Sequence, residues 1–202
     1  MKVKPVVLES GELRLEPLMQ DHAPDLAQWL DPTLTQWFTK PLMTEADMRA
    51  YIDEALAGQK AGSMLPFATV MKETGRAIGT TRFGAIDRAN RRVEIGWTLV
   101  ARPYQRSGVN TQAKLLMLTH AFETWACIRV EFKTDSLNIQ SRTALKRLGA
   151  VEEGILRNHM VCPSGRIRHS VYFSITAEEW PGVKQRLIRR LATGGHDKGL
   201  VA

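Results

Sequence analysis

Apolar and polar positions change period several times along the chain, and those changes mark its elements. Glu12–Pro17 sets Leu13 and Leu15 against Arg14 and Glu16, a period of two that predicts a short half-buried strand. Asp21–Asp31 carries Leu26 and Leu30 at helical spacing with Trp29 beside them, and Pro32 stops it. Pro32–Pro41 reads as a loop holding Trp37 and Phe38. Thr44 caps a helix to about Lys60, with Asp47 as the capping-box acid and Met48, Tyr51, Ile52, Ala55 and Leu56 as its apolar stripe.

Beyond Gly62 the period falls to two. Phe67–Lys72, Arg76–Ile86 and Arg91–Val100 read as three strands joined by turns at 73–75 and 87–90. A turn at Pro103–Val109 leads into a long helix, Asn110–Ala126, with Leu115, Leu118, Ala121, Phe122 and Trp125 facing a core. Arg129–Thr134 is a strand, and Ile139–Leu148 a helix closed by Gly149. Ala150–Arg157 and Arg166–Ile175 form a hairpin around 163–165. Thr176-Ala177-Glu178-Glu179 reads as a capping box, Pro181 restarts the chain, and a terminal helix reaches about Leu191. The fold class is therefore α+β: one domain over residues 1–192, with 193–202 as a frayed tail.

Composition narrows the reading. With 44% hydrophobic and 24% charged residues in 202, the chain is globular, and no apolar run is long enough for a bilayer. Acidic Glu9 and Glu12 arrive before a signal-peptide core could form, and Cys127 and Cys162 make no disulfide framework. A cytoplasmic protein with reduced thiols is expected. The net charge of +7 divides into −1 over residues 1–100 and +8 over 101–202. A nucleic-acid surface, a polyanionic small ligand, or a solvated tail with Lys184, Arg186, Arg189 and Arg190 would each account for that asymmetry. No basic–aromatic interleaving supports nucleic acid. His159 and His169 fall on the hairpin without a third ligand at metal spacing, so no metal is expected.

The change from antiparallel meander to strand–helix–strand falls near residues 100–110, and open sheets place ligands at such switches. There Gln105, Arg106, Ser107, Gly108, Val109, Asn110 and Thr111 follow a strand and open a helix. Gly108 permits a tight turn, and free N–H groups with the helix dipole suit a phosphate. No Gly-Lys-Ser/Thr follows, and a single glycine is not a dinucleotide fingerprint.

Together with Val93-Glu94-Ile95-Gly96-Trp97, Lys133-Thr134-Asp135, Asn138-Ile139-Gln140-Ser141-Arg142, Arg147-Leu148-Gly149-Ala150, Gly154–Arg157 and Glu179-Trp180-Pro181, this loop resembles the GNAT N-acetyltransferase superfamily. Within it the chain is most similar to the RimJ/RimL-like group of ribosomal-protein alanine N-acetyltransferases, over about residues 10–190. The resemblance implies a GNAT fold: a mixed, mostly antiparallel six- to seven-stranded sheet flanked by helices. It implies acetyl-CoA as co-substrate and direct attack by a primary amine, most simply a protein N-terminal α-amine. A small amine (polyamine, antibiotic or amino acid) is the alternative acceptor, and a non-catalytic acyl-CoA-binding module the alternative role. A monomer or homodimer is expected.

By the same resemblance the pantetheine arm lies along Thr98, Leu99 and Val100, and the diphosphate on Gln105–Thr111 with Arg106 as the side-chain charge. Arg102, Arg142 and Arg147 are candidates for the remaining phosphate. Two departures stand out. Asn110 occupies a position where many members carry Gly or Ala, and Leu145 stands where many carry a tyrosine acid. In the RimJ/RimL-like group the serine three residues after the Asn takes that place, so the resemblance implies Ser141 as the donor to the departing sulfur, with Asn138 ordering the cofactor. Glu94 is the candidate base, alternating onto a strand face with Gly96 and Thr98 and opposite Val93, Ile95, Trp97 and Leu99, unless it merely pairs with Arg82 or Arg92. Trp37 and Phe38 are candidate walls of the acceptor pocket. An α-amine is about one-tenth neutral at pH 7 and a lysine about once in 2,500, a gap of about 3 kcal/mol, so an α-amine needs only a water relay through Glu94.

Overall fold

The computed structural model describes residues 1–38, 40, 42–162 and 164–193; the tail expected at 194–202 lies outside the described residues. Its strands are β1 (Leu8–Ser10), β2 (Leu13–Pro17), β3 (Leu65–Met71), β4 (Ala77–Asp87), β5 (Arg92–Val100), β6 (Arg129–Asp135), β7 (Val151–Val161) and β8 (Ile167–Thr176). Its helices are α1 (Ala23–Ala27), α2 (Pro32–Thr35), α3 (Glu45–Lys60), α4 (Val109–Thr119), α5 (Ile139–Leu148) and α6 (Trp180–Ala192). The strands form one eight-stranded sheet in the order β1-β2-β3-β4-β5-β6-β8-β7. All pairings are antiparallel except β5 with β6. This is the expected GNAT fold. It has one strand more than the sequence suggests, because β1 is three residues long and too short to show alternation.

The two faces of the sheet carry separate cores. On one, Met117, Leu118 and Ala121 of the α4 segment pack with Val93, Ile95, Val130, Phe132, Val171 and Phe173 and with Val183 and Leu187 of α6. On the other, Leu26 of α1 and Met48, Ile52 and Ala55 of α3 pack on Ala68, Val70, Ala77 and Leu99. Those α3 positions recur every three to four residues, as a helix must to bury one stripe. Its start is fixed by reciprocal bonds: the Asp47 N–H donates to Thr44 Oγ1 at 3.1 Å, and the Thr44 N–H donates to the Asp47 carboxylate at 2.9 Å.

Three expectations change. Residues 32–35 form a short helix rather than loop, because Asp31 accepts the N–H groups of Thr33 and Leu34 and Pro32 suits the first helical position. The long helix begins one residue earlier than expected and ends in a π-turn at His120–Thr124. At the C-terminus the Thr176 N–H donates to Glu179 Oε2 at 2.8 Å, but helix α6 starts only at Trp180, so half of the expected capping box forms.

Candidate functional site

The strict alternation expected along β5 fails at Trp97. Thr80 pairs with Leu99 and Arg82 with Gly96, so Trp97 and Thr98 together oppose Thr81 in a β-bulge. Trp97 takes φ +50, an unusual backbone for a bulky residue. Its carbonyl accepts from the Tyr51 hydroxyl at 3.1 Å, which ties the bulge to α3. The extra residue exchanges the faces beyond it. Trp97 and Leu99 join Glu94 on the α3 side, and Thr98 turns to the α4 side, the reverse of the sequence reading.

The bulge adjoins a gap in the sheet. Strand β5 pairs with β6 only over Arg92–Glu94 and Arg129–Glu131. Beyond that point Leu99 and Val100 pair with Thr80 and Gly79 of β4, Thr98 meets Thr81 through its hydroxyl, and the edge of all three toward β6 carries no ladder. The gap leads to α4, whose N-cap Gly108 takes φ +91 and gives no side-chain cap. The first N–H groups of that helix, at Val109, Asn110 and Thr111, have no acceptor within the helix, and its positive dipole end faces the same way. Arg106 also takes a positive φ of 62, so left-handed residues flank Ser107 and curve the backbone amides together. Gln105 Nε2 donates to the Val100 carbonyl at 3.0 Å and fixes the loop on β5. Ser107 Oγ donates to the Tyr104 carbonyl at 2.6 Å. The Asn110 Oδ1 is buried with no hydrogen-bond partner among the described residues. This donor-rich, uncapped cradle beside an unpaired strand edge suits a diphosphate with an amide-bearing arm.

Asn138 caps α5, its Oδ1 accepting the Ser141 N–H at 3.0 Å. One side of Asn138 is thus committed to the helix, and Ser141 is held in the first turn, partly exposed. Among the other basic candidates, Arg102 is bound to Asp31 at 2.6 Å, and Asp31 is pulled down to about 2, first by its bond from Thr33 and then by Arg102. Arg142 is bound to Glu152 at 3.1 Å. Arg106 and Arg147 are exposed.

Glu94 is 6% exposed, and its partner is neither Arg82 nor Arg92 but Lys133, at 3.5 Å. Arg82 instead stacks on the Tyr51 ring, its guanidinium carbon 4.4 Å from the centroid, and Arg92 pairs with Glu131 and Asp87. Burial raises the Glu94 carboxyl above its ordinary range, and Lys133 opposes that shift. Lys133 belongs to the segment Lys133-Thr134-Asp135, which by itself assigns it no role. The alternation Glu131, Lys133, Asp135 on β6 was the signal that could have placed it, since Glu94 pairs directly with Glu131.

From Glu94 a polar strip continues across the sheet. Glu131, Lys133 and Asp135 of β6 share a face with Arg168, Ser170 and Tyr172 of β8, and His159 Nδ1 lies 2.9 Å from Ser170 Oγ. The strip ends at a cavity of about 270 Å3 between the loop bearing Trp37 and Phe38 and the tip of the β7–β8 hairpin. The structure therefore brings Trp37 and Phe38 to a common wall, with Arg166 6.0 Å from the Trp37 ring centre. Sequence reasoning missed Arg168, which carries no motif.

Lys114 was also missed. It is 5% exposed on α4, donating to Thr98 Oγ1 at 2.6 Å and to Thr81 Oγ1 at 3.0 Å. Burial alone lowers it to about 7. Among the described residues no cluster of side chains has the makings of a metal site, and no helix is long and apolar enough to cross a membrane.

Comparison with known proteins agrees with this geometry. Residues 12–151 match the acetyltransferase (GNAT) domain. The uncharacterized N-acetyltransferase p20 of Bacillus licheniformis is 30% identical over 181 residues, covering 87% of this chain and 98% of its own. YdaF of Bacillus subtilis, whose name proposes a ribosomal N-acetyltransferase, is 28% identical over 175 residues, covering 85% of this chain and 88% of its own. A GCN5-related N-acetyltransferase from Brucella melitensis superposes with a TM-score of 0.88 at 30% identity, over 98% of this chain and 90% of that one.

Proposed function

Because the chain belongs to the GNAT acetyltransferase family, whose members use acetyl-CoA, we propose that this enzyme transfers the acetyl group to a protein N-terminal α-amine, a ribosomal protein being one candidate. The observation that carries the reading is the unpaired edge of β5 running from the uncapped start of α4 to the buried carboxylate of Glu94. In this reading the backbone of Thr98, Leu99 and Val100 holds the pantetheine arm. The N–H groups from Gln105 to Thr111, with Arg106, hold the diphosphate, and Asn138 orders the cofactor through the face left free by its cap.

The amine attacks the thioester carbonyl directly. The new C–N bond forms as the C–S bond breaks, and the electron pair leaves on sulfur. Ser141 supplies the hydrogen bond or proton that the departing thiolate needs. Glu94 takes the proton released by the amine, directly or through water. Lys133 has a second effect here: a cation beside the carboxylate disfavours a second ammonium, so the bound acceptor is driven toward its neutral, nucleophilic form. For an α-amine that assistance is enough, whereas a lysine starts about 3 kcal/mol further away.

The test is thiol release from acetyl-CoA with peptides beginning Ser, Ala or Met, the same peptides with blocked α-amines but a free lysine, polyamines and aminoglycosides. Turnover confined to free α-amines is the expected result. Turnover confined to polyamines or aminoglycosides would overturn the assignment of the acceptor.

A further inference from the structure

The cavity at the end of the polar strip is mostly apolar and aromatic, with Trp37, Phe38, Met43 and Met160 among its walls, and among the described residues its charged lining is Arg166 and Arg168 alone. Arg168 is 8% exposed, and its Nε has no hydrogen-bond acceptor among the described residues. Its carboxylate neighbour, Asp135, lies 3.9 Å away and is already engaged. Asp135 Oδ2 accepts from Arg166 at 2.5 Å, and its Oδ1 accepts the Leu137 N–H at 3.0 Å. A guanidinium keeps its proton throughout the range in which proteins fold, so it cannot relieve this burial by becoming neutral. One long contact to a shared carboxylate does not replace the water it has lost. The wall thus presents a largely buried guanidinium whose Nε lacks an acceptor among the described residues, a group suited to a carboxylate.

The layout of the strip says where that carboxylate belongs. Glu94 is level with Glu131, and Arg168 lies beyond Asp135, which is four residues further along β6. At about 3.3 Å per residue Asp135 is roughly 13 Å along the strip, and the Arg168 side chain, rooted two residues further on, reaches back to 3.9 Å from it. The amine and carboxylate of a single amino acid are far too close together to reach both. An extended peptide with its α-amine at Glu94 brings its second or third side chain to the cavity.

We infer that Arg168 is a specificity determinant that selects acceptor peptides carrying Asp or Glu at their second or third residue, seated in the cavity between Trp37 and the hairpin tip. The inference rests on the α-amine reading above. The experiment compares kcat/KM for the amidated peptides Ser-Glu-Glu-Ala-Ala-Ala and Ser-Gln-Gln-Ala-Ala-Ala, followed by thiol release. The wild-type enzyme is expected to favour the Glu peptide by about tenfold or more, mainly through KM, as a desolvated charge pair requires. Arg168→Gln is expected to bring the ratio to about one, and Arg168→Lys, which keeps the charge and loses the planar fork, to keep part of it. A wild-type ratio near one, with both peptides acetylated, overturns this inference and leaves the α-amine reading standing. A full preference surviving in Arg168→Gln removes the role of Arg168. Acetyl-CoA binding with neither peptide acetylated removes the α-amine reading and this inference with it.

Discussion

Glu94 is buried at a cost, and in the proposed mechanism that cost keeps its carboxylate basic. Because burial raises its folded pKa above the ordinary 4.5, the carboxylate form lowers stability as pH rises through the folded value. Glu94→Gln is therefore expected to raise the Tm at pH 7 while lowering kcat about tenfold or more, with little change in acetyl-CoA affinity. Its acidic limb in the profile of kcat against pH should vanish, leaving only the limb of the amine. Ser141→Ala should likewise lower kcat more than affinity. Steady-state kinetics with calorimetry checks both, and unchanged turnover in both variants would remove the assigned roles.

Lys114 has the opposite sign. Its folded value near 7 lies below the 10.5 of the free side chain, so the unfolded chain binds more protons between those limits and stability rises with pH across them. Lys114→Met should flatten that rise and stabilise the fold by about 1–4 kcal/mol at pH 7, since Thr81 and Thr98 can still bond to each other at 3.0 Å. Urea melts from pH 7 to 10 read this directly. Glu94 was legible as a residue because a motif carries it. Arg168 was not, and Lys114, though it lies in the similar segment Gly108–Lys114, carried no role, because a buried cation in a one-dimensional pattern looks the same as a solvated one.

At the scale of elements, most of the architecture can be read from periodicity, and each difference has a local cause. The stripe of α3 is clean because the helix buries a single face. The alternation of β6 and β8 is clean because Val130, Phe132, Val171, Phe173 and Ile175 share the apolar α4 face while the opposite, also largely buried, face is polar. The bulge at Trp97 could not be read: one extra residue leaves the sequence pattern of β5 unbroken while reversing its later faces. Gly84 records the consequence, since a Cβ there would lie 2.4 Å from the Trp97 ring. The loop before α4 was legible through Gly108, and the tight turn expected there is what that glycine serves. A Cβ at Gly108 would meet only Leu191, at 3.7 Å, whereas φ +91 is the conformation side chains avoid. Gly108→Val should thus act by reshaping the loop, costing about 1–2 kcal/mol of stability and weakening acetyl-CoA binding at least tenfold by calorimetry.

Across the whole molecule, two cores hold a sheet that is closed on both sides of a single parallel junction and open within it. The α4 face supplies the uncapped helix start, proposed above to hold the diphosphate, and the α3 face supplies Glu94 and the polar strip. Much of the positive second half is matched inside this frame: Arg129 with Glu131 and Glu153, Arg142 and Lys146 with Glu152, and Lys184 with Glu123. That pairing explains why net charge alone could not identify a ligand. A ligand bridging both faces should stabilise the whole fold, so CoA at about 100 times its Kd should add about 2.7 kcal/mol, seen as a rise in Tm. The most direct single measurement is a crystal structure of the protein soaked with CoA. Density is expected with the diphosphate on the amides of Gly108 to Thr111 and the arm running along Thr98–Val100 between β5 and β6. CoA bound elsewhere, with that gap empty, would contradict the account.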